Sequence, residues 1–357
     1  MEEAAALLAS CERPPVILAG RGAVAADARA EIEALAERIG AVLATTVHAK
    51  GYFDHHPWNV GIAGSFSSEL AVEFLASADC VLALGCSLNK YTTHSGRLFS
   101  RARIIHVDRD PKQLGKITPA DLCIVGDARE TVAAIRRCLE SDGRIQNRFW
   151  NAETERYLAS ARGARPDYVE AADGLDPRLV IAECERLLPK DRIAVVDGGH
   201  FGCWVIEGFS VPHPNDFIWR VDFSAIGLGL PLGIGAATAA PDRHCVVFAG
   251  DGGFMMILQE LETAARYQVP MTVIVMNDRA LGAEYHVMQR ENKPPQLATH
   301  STPDFARVAA ALGARGFAVR TLDDLRAALS EAAANDAGGP TVIDVPITRQ
   351  VAHPVFG

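Results

Sequence analysis

Two aspartates in the second half of the chain follow short apolar runs. Asp251 comes after CVVFA at residues 245–249 and a glycine, and Asp278 comes after MTVIVM at residues 271–276 and an asparagine. Apolar runs rich in branched residues are typical of buried parallel strands. Open α/β sheets bind ligands at the edge formed by the carboxyl ends of such strands. The sequence therefore predicts a binding site that contains both carboxylates.

The residues around the two aspartates favour a cation that holds a phosphate. Mg²⁺ prefers oxygen ligands, usually one or two carboxylates together with phosphate oxygens and water. Gly252 and Gly253 carry no Cβ, so their N–H groups can approach an oxyanion closely, and they open a predicted helix whose amino end favours phosphate. A lone Gly-Asp-Gly is more often a plain strand-to-helix turn. The specificity lies in the whole segment 250–282.

A single helix is predicted between the two strands. Its apolar face is formed by Met256, Leu261, Ala264 and Ala265, and Pro270 ends it. Strand, helix and second strand together make one unit that positions both aspartates.

This segment resembles the signature of thiamine-diphosphate-dependent enzymes, in which Gly-Asp-Gly precedes Asn-Asn or Asn-Asp by about two dozen residues. Acetohydroxyacid synthase, benzoylformate decarboxylase and pyruvate decarboxylase belong to that family. The resemblance implies that Asp251 and Asp278 bind Mg²⁺ through their side chains and Ala280 through its carbonyl oxygen. The usual residue at the position of Asp278 is Asn, so this chain adds a negative charge. Asn277 is then structural.

The resemblance also implies which residues bind the cofactor. Gly199 and His200 follow a predicted strand, where related synthases have Gly-Gln in contact with the diphosphate; a solvent-facing histidine in a plain turn is the alternative for His200. Ile226 takes the position of an apolar wedge beneath the cofactor, and the carbonyl of Ser224 would accept a hydrogen bond from its amino group. The remaining predicted cofactor-binding residues surround the two aspartates: Gly250, Gly252, Gly253, Asp278, Leu281 and Gly282.

Glu284 and His286 follow the metal-binding segment and are the predicted catalytic residues. Pyruvate decarboxylase has a glutamate at the position of Glu284 that assists protonation and decarboxylation. A carboxylate near the substrate can act as a general acid or base if burial raises its pKa. The alternative for both residues is an exposed helix face.

Residues 14–135 alternate predicted strands and helices, which indicates a parallel sheet covered by helices. The loose G-x-G-x-x-A pattern from Gly20 to Ala25 is a weak sign of a nucleotide site, and the next strand lacks the acidic residue that a ribose needs. Asp108 is a better ribose candidate, with a capping or loop role as the alternative. The segment resembles the middle domain of the same enzymes. Some members bind FAD or ADP there, but no residue pattern of this chain supports either.

The predicted fold class is α/β, with two doubly wound parallel-sheet domains. A Rossmann-like middle domain is expected at residues 1–145, a linker at 146–176 and the diphosphate-binding domain at 177–357. Family members carry a further N-terminal pyrimidine-binding domain, whose glutamate contacts the cofactor, and no segment here matches it. We expect a longer enzyme or a separate chain to supply that domain, and this chain alone to be inactive.

Composition narrows the function classes. The 357 residues are 49% hydrophobic and 22% charged, which fits a soluble globular protein of about two domains. A net charge of −9 without a basic stripe argues against a nucleic-acid partner. Apolar runs fall short of the roughly 20 residues of a membrane span. The eight cysteines form no CxxC pair, and a cytoplasmic location is expected.

The sequence leaves three hypotheses for the function of this chain. The first is a thiamine-diphosphate- and Mg²⁺-dependent 2-oxo acid decarboxylase or carboligase, similar to acetolactate synthase and assembled as a homodimer or homotetramer. The second is a non-catalytic thiamine-diphosphate-binding or regulatory module, which the missing domain favours. The third is an NAD-binding deacylase-like protein built on the first domain. The intact segment 250–278 argues against the third.

Overall fold

The computed structural model describes residues 1–141, 147, 149–163, 166–219, 225–334 and 338–356. The chain divides into two compact units, Met1–Arg165 and Pro166–Gly357. Each unit contains a parallel sheet with helices packed against it. This confirms the predicted α/β class with two doubly wound parallel-sheet units.

Within the described residues, the first unit is built on the sheet order β3-β2-β1-β4-β5-β6, and its neighbouring strands pair in parallel. Its strands are β1 (Val16–Ala19), β2 (Val42–Thr45), β3 (Asn59–Ile62), β4 (Cys80–Leu84), β5 (Arg103–Asp108) and β6 (Leu122–Val125). Its helices are α1 (Glu2–Ala9), α2 (Arg21–Ala25), α3 (Arg29–Ile39), α4 (Glu69–Ser77), α5 (Ala128–Ser141) and α6 (Ala152–Gly163). Within the predicted linker, α6 buries Leu158 in a core of this unit.

Helices cover both faces of the first sheet. Successive side chains of a strand point in opposite directions, so each strand contributes to two cores. Ile17 of β1 packs in one core with Ile32 and Leu35 of α3, whereas Leu18 packs in another core with Leu75 of α4. Strands that are buried on both faces have near-continuous apolar sequences, which is why the apolar runs predicted them.

The glycines of the loose nucleotide-binding pattern serve packing in the first unit. A Cβ added to Gly22 would lie 2.7 Å from the Cα of Gly85, and the N–H of Gly22 donates to the carbonyl of Gly85 at 2.9 Å. Asp108 accepts the N–H of Asp110 at 2.9 Å, which is a loop contact. These contacts account for the glycines and for Asp108 without a nucleotide.

The second unit has the sheet order β11-β12-β10-β9-β7-β8, again within the described residues and with parallel pairings. Its strands are β7 (Arg192–Val196), β8 (Phe217–Trp219), β9 (His244–Gly250), β10 (Met271–Asn277), β11 (Arg315–Ala318) and β12 (Pro340–Pro346). Its helices are α7 (Pro177–Leu187), α8 (Phe201–Gly208), α9 (Gly229–Ala239), α10 (Asp251–Ile257), α11 (Glu260–Arg266), α12 (Gly282–Arg290), α13 (Phe305–Ala311) and α14 (Leu322–Ala334).

The prediction of a single helix after β9 is wrong, because a turn at residues 258–259 divides this segment into α10 and α11. Leu261, Ala264 and Ala265 are buried as predicted, but Met256 is 61% exposed. Five residues separate Met256 from Leu261, which corresponds to a rotation of about 140° around a helix, so the two side chains do not share a face.

The strand order of the second unit reverses at β7, since β8 lies on one side of it and β9 on the other. Ligands bind open α/β sheets outside the carboxyl ends of the strands at such a reversal. The register pairs Met276 with Gly250 and Phe248 with Val196, so the residues that follow β10, β9 and β7 come to one edge. These include Asp278, Asp251 and the Gly199 loop, which consists of residues 197–200 between β7 and α8.

No helix in the described ranges combines the length and the apolar composition needed to cross a bilayer.

Candidate functional site

Asp251, which is buried, and Asp278, which is half-buried, form a carboxylate pair at this edge. Asp251 is only 1% exposed and begins α10, while Asp278 follows β10. Burial raises the pKa of Asp251, and burial together with the Asp251 charge raises the pKa of Asp278 to about 7. Two carboxylates held together away from water repel each other, and a divalent cation between them would remove that repulsion.

One oxygen of this pair is free to act as a ligand. The Oδ2 atom of Asp251 is buried and has no hydrogen-bond partner among the described residues. Nε2 of His300 lies 3.2 Å from it but also makes no hydrogen bond there. Within the same residues, no three His, Cys, Asp or Glu side chains are grouped for a metal ion. The side chains that fit a cation are therefore the two carboxylates, with main-chain oxygen as the remaining protein donor.

The loop that carries Ala280 is held from two sides. Asp278 Oδ1 accepts the N–H of Ala280 at 3.0 Å, and Arg279 has a φ of +54°. The N–H of Leu281 donates to the carbonyl of Ala298 at 2.8 Å, and the N–H of His300 donates to that of Arg279 at 3.1 Å. This antiparallel pairing fixes the loop against residues 298–300.

The side chain of Asn277 makes its hydrogen bonds outside the carboxylate pair. Its Nδ2 donates to Asp344 Oδ1 at 2.9 Å and lies 3.3 Å from Thr302 Oγ1. Asp344 belongs to β12, so these contacts tie β10 to its neighbour. They agree with the structural role expected for Asn277.

The predicted cofactor-binding glycines lie where the backbone passes close to the acidic side chains. A Cβ on Gly282 would come within 2.4 Å of Asp278 Oδ2, and one on Gly253 within 2.7 Å of an Asp197 oxygen. Gly250 faces the ring of Phe201, at 2.9 Å from the added Cβ. A side chain at any of these positions would displace its neighbour, so the glycines keep the loops tight.

Gly252 and Leu281 lie on the same side of the site. A Cβ on Gly252 would meet a methyl carbon of Leu281 at 3.0 Å, and Leu281 is 37% exposed. Gly252 and Gly253 are both in the first turn of α10. Their position is compatible with the predicted contact to an anion.

His200 is buried rather than solvent-facing. It is 3% exposed, and its Nε2 accepts the N–H of His353 at 2.8 Å. Its ring centre is 4.3 Å from that of His286. Burial, with the nearby His286 and His353, lowers the pKa of His200 to about 3. The imidazole is therefore neutral, next to Gly199, whose φ is +146°.

We expect His200→Gln to flatten the pH dependence of stability. The folded-state pKa of about 3 lies below the ordinary value, so only the unfolded chain binds this proton between about pH 6.5 and 3. Stability contributed at neutral pH is lost as the pH falls, by about 1.4 kcal/mol per pH unit. Denaturation at pH 6, 5 and 4, followed by hydrogen exchange in the second unit, measures the slope.

The exposed His94 provides the control for that experiment, because its side chain is solvated in both states. His94→Gln should keep the wild-type slope. Equal slopes for wild type and His200→Gln would contradict the buried, neutral state of His200.

The two predicted catalytic residues lie on opposite sides of α12. Glu284 is exposed, whereas His286 is 2% exposed and its Nε2 has no hydrogen-bond partner among the described residues. Burial lowers the pKa of His286. Residues two apart on a helix do not face each other. The alternative of an exposed helix face is wrong for His286, whereas Glu284 is exposed in the described structure.

Asp197 is a site residue that the sequence reasoning missed. It follows β7, is 1% exposed, and accepts the N–H groups of Gly198 at 2.8 Å, Gly227 at 2.9 Å and Leu228 at 3.2 Å. Burial raises the pKa of Asp197, although these donors act against that effect. The available signal was an acidic residue directly after an apolar strand and before two glycines.

Asp197 also positions the loop of the predicted wedge. Its carboxylate holds Gly227 and Leu228, the two residues after Ile226, which is half-buried. Ser224 lies outside the described residues. His300 and His353, which contact Asp251 and His200, were also missed, since they are distant in sequence and carry no local motif.

Two family models match this chain. Residues 197–345 match the thiamine pyrophosphate enzyme, C-terminal TPP binding domain, and residues 1–135 match the thiamine pyrophosphate enzyme, central domain. Together these ranges cover well over half of the chain.

Individual proteins are similar to this chain over nearly its whole length. A sulfoacetaldehyde acetyltransferase of Castellaniella defragrans is 32% identical over 99% of this chain and 63% of its own length. A probable acetolactate synthase large subunit of Methanocaldococcus jannaschii is 29% identical over 99% of this chain and 61% of its own. The chain thus spans about three fifths of the length of these relatives.

A solved structure is also similar. The thiamine diphosphate-dependent 4-hydroxybenzoylformate decarboxylase of Rhodococcus jostii RHA1 matches with a TM-score of 0.75 and 25% identity. The match covers 97% of this chain and 63% of that one.

Proposed function

This chain belongs to the thiamine pyrophosphate enzyme family, and from that premise we propose that it binds thiamine diphosphate with Mg²⁺ and serves a 2-oxo acid decarboxylase or carboligase of the acetolactate synthase type. The observation that carries the proposal is the carboxylate pair of buried Asp251 and half-buried Asp278, in which one Asp251 oxygen lacks a hydrogen-bond partner among the described residues. Paired carboxylates of this kind suit Mg²⁺ and a phosphate.

In this proposal the two carboxylates and the carbonyl of Ala280 hold the cation. The N–H groups of Gly252 and Gly253 bind the diphosphate, and the remaining predicted residues complete its site: Gly199, His200, Ser224, Ile226, Gly250, Leu281 and Gly282. When bound, thiamine diphosphate supplies the carbanion-stabilising chemistry that 2-oxo acid decarboxylation requires. The chain itself binds and orients the cofactor.

Glu284 and His286 remain the proposed catalytic residues, with separate requirements. His286 is buried, and burial lowers its pKa, so its ring is neutral; its Nε2 has no hydrogen-bond partner among the described residues and is the ring nitrogen left for proton transfer. Glu284 is exposed and needs a covering surface that shields it and the substrate from water. We propose that the pyrimidine-binding domain, from a longer enzyme or a separate chain, provides that surface in a cytoplasmic homodimer or homotetramer.

The division into a middle domain at 1–145, a linker at 146–176 and a diphosphate-binding domain at 177–357 is part of the same proposal. The exposure of Glu284 favours a second candidate function, a non-catalytic thiamine-diphosphate-binding or regulatory module. Such a module would keep the carboxylate pair and leave Glu284 exposed to water.

We expect calorimetry to detect binding of thiamine diphosphate, but not of NAD, in the presence of Mg²⁺. Release of CO₂ from 2-oxo acids should be low for the chain alone. Addition of a pyrimidine-binding domain from a relative should raise it at least about hundredfold, because positioned acid–base groups contribute 10²–10⁴-fold.

The outcomes separate the alternatives. Absence of thiamine diphosphate binding would remove the proposal. Full turnover by the chain alone would contradict the need for a further domain. Tight binding without CO₂ release, even in the completed assembly, would establish the non-catalytic module.

A further inference from the structure

The C-terminal segment, residues 351–356, is anchored in the second unit by His353. This histidine is 1% exposed, and its Nε2 lies 2.8 Å from Glu207 Oε1. Its Nδ1 accepts the N–H of Val355 at 3.2 Å. A ring nitrogen that accepts carries no proton, so the proton is on Nε2 and is donated to Glu207.

A second hydrogen bond joins this segment to the Gly199 loop. The backbone N–H of His353 donates to Nε2 of His200 at 2.8 Å. The buried His200 has a pKa of about 3, so its ring is neutral. A neutral imidazole has one donor and one acceptor nitrogen, and the use of Nε2 as acceptor leaves the proton on Nδ1.

The surroundings of both histidines restrict their movement. The ring centres of Trp204 and His353 are 4.7 Å apart, and those of His200 and Phe356 are 5.8 Å apart. The carbonyl of Phe356 accepts a hydrogen bond from the guanidinium of Arg290 at 3.2 Å. Ring packing and hydrogen bonds thus fix the C-terminal segment on the loop that carries His200.

We propose that His353, held by Glu207, is a positioning residue that fixes His200 in the Nδ1–H form, so that His200 presents a hydrogen-bond donor to an anionic ligand at the Gly199 loop. An acceptor nitrogen would repel a diphosphate oxygen, whereas an N–H group binds it. The role of the anion rests on the proposed function. The tautomer of His200 does not, because the contacts that fix it are internal to the chain.

The full 357-residue chain with ¹⁵N-labelled histidine provides the test. Long-range ¹H–¹⁵N spectra without cofactor report which nitrogen of His200 is protonated, and His200→Gln assigns its signals. Glu207→Leu removes the anchor of His353, and deletion of residues 351–357 removes the donor N–H. Glu207→Gln is the matched control, because its side-chain carbonyl still accepts from His353.

We expect the Nδ1–H form in wild type and Glu207→Gln, and a shift towards the Nε2–H form in Glu207→Leu and in the shortened chain. Affinity for inorganic pyrophosphate with Mg²⁺, measured by calorimetry, should fall about tenfold in the latter two, at the low end of the effect of outer-shell partners. Circular dichroism identifies a variant that fails to fold, and wild type together with Glu207→Gln then decides the assignment.

An Nε2–H form of His200 in wild type would overturn the proposal, as would an unchanged tautomer in both folded variants. A tautomer shift with unchanged pyrophosphate affinity would overturn the link to the anion, while the proposed function would still stand on Asp251 and Asp278. Conversely, Asp251→Ala could lower the pyrophosphate affinity while the tautomer of His200 stays unchanged in Glu207→Leu and in the shortened chain. In that case the proposed function would stand and the role of His353 would fall.

Discussion

Replacement of Asp251 and Asp278 together by alanine is expected to abolish the Mg²⁺-dependent part of thiamine diphosphate binding. Asp251 is buried and Asp278 half-buried, and one Asp251 oxygen has no hydrogen-bond partner among the described residues. Removal of outer-shell partners of metal ligands already costs 10–100-fold in affinity, so loss of both ligands should exceed about hundredfold. Calorimetry with Mg²⁺ and with a chelator measures this difference, in the chain and in the completed enzyme.

Matched variants make this experiment specific. Asp278→Asn should keep most of the metal-dependent affinity, because the amide oxygen is still a hard ligand. A neutral side chain also avoids the burial of a charge and the repulsion from Asp251, which together raise the pKa of Asp278. Asp323→Ala removes an exposed carboxylate and should change nothing. Affinity that survives the double alanine replacement would exclude the carboxylate pair as the metal site.

Asp197→Ala is expected to lower the free energy of unfolding of the second unit by about 3–5 kcal/mol, because several backbone donors would lose their shared acceptor at once. The carboxylate is 1% exposed and accepts three backbone N–H groups, two of them from the loop after Ile226. Each donor that stays buried without an acceptor costs about 1–3 kcal/mol. Chemical denaturation followed by hydrogen exchange in this unit measures the loss.

Asp304→Ala is the comparison for Asp197→Ala. Asp304 also accepts a backbone N–H, that of Arg307 at 3.0 Å, but it does so at the exposed start of α13. A lost helix cap costs about 1 kcal/mol. A loss for Asp197→Ala no larger than that for Asp304→Ala would show that the loop does not depend on the Asp197 carboxylate.

The sequence alone determined the parallel sheets and their class. Continuous apolar runs such as CVVFA and MTVIVM are buried on both faces as β9 and β10, because helices cover both faces of a strand inside a doubly wound sheet. Alternation of strands and helices fixed the rest of the class. The signature around Asp251 and Asp278 identified the family, which the family models confirm.

Predictions from the local sequence were less accurate on two points, namely where one helix ends and the next begins and which side of a helix is buried. The helix predicted after Asp251 contains a turn, and Met256 is exposed instead of buried. Glu284 and His286 were both predicted as catalytic residues, or else as an exposed helix face, yet α12 turns them to opposite sides. Periodicity describes a helix face only if the start of the helix and its contact with the sheet are known.

Only the tertiary structure decided the contacts that hold the site together. His200 and His353 are 153 residues apart, and Asp197 reaches Gly227 across 30 residues. These pairs have no spacing that a helix or strand would impose, because their approach depends on how β7 packs beside β9 and where the chain passes afterwards. The sequence supplies the chemical groups at the strand ends, and the packing of the sheet sets their distances, burial and protonation.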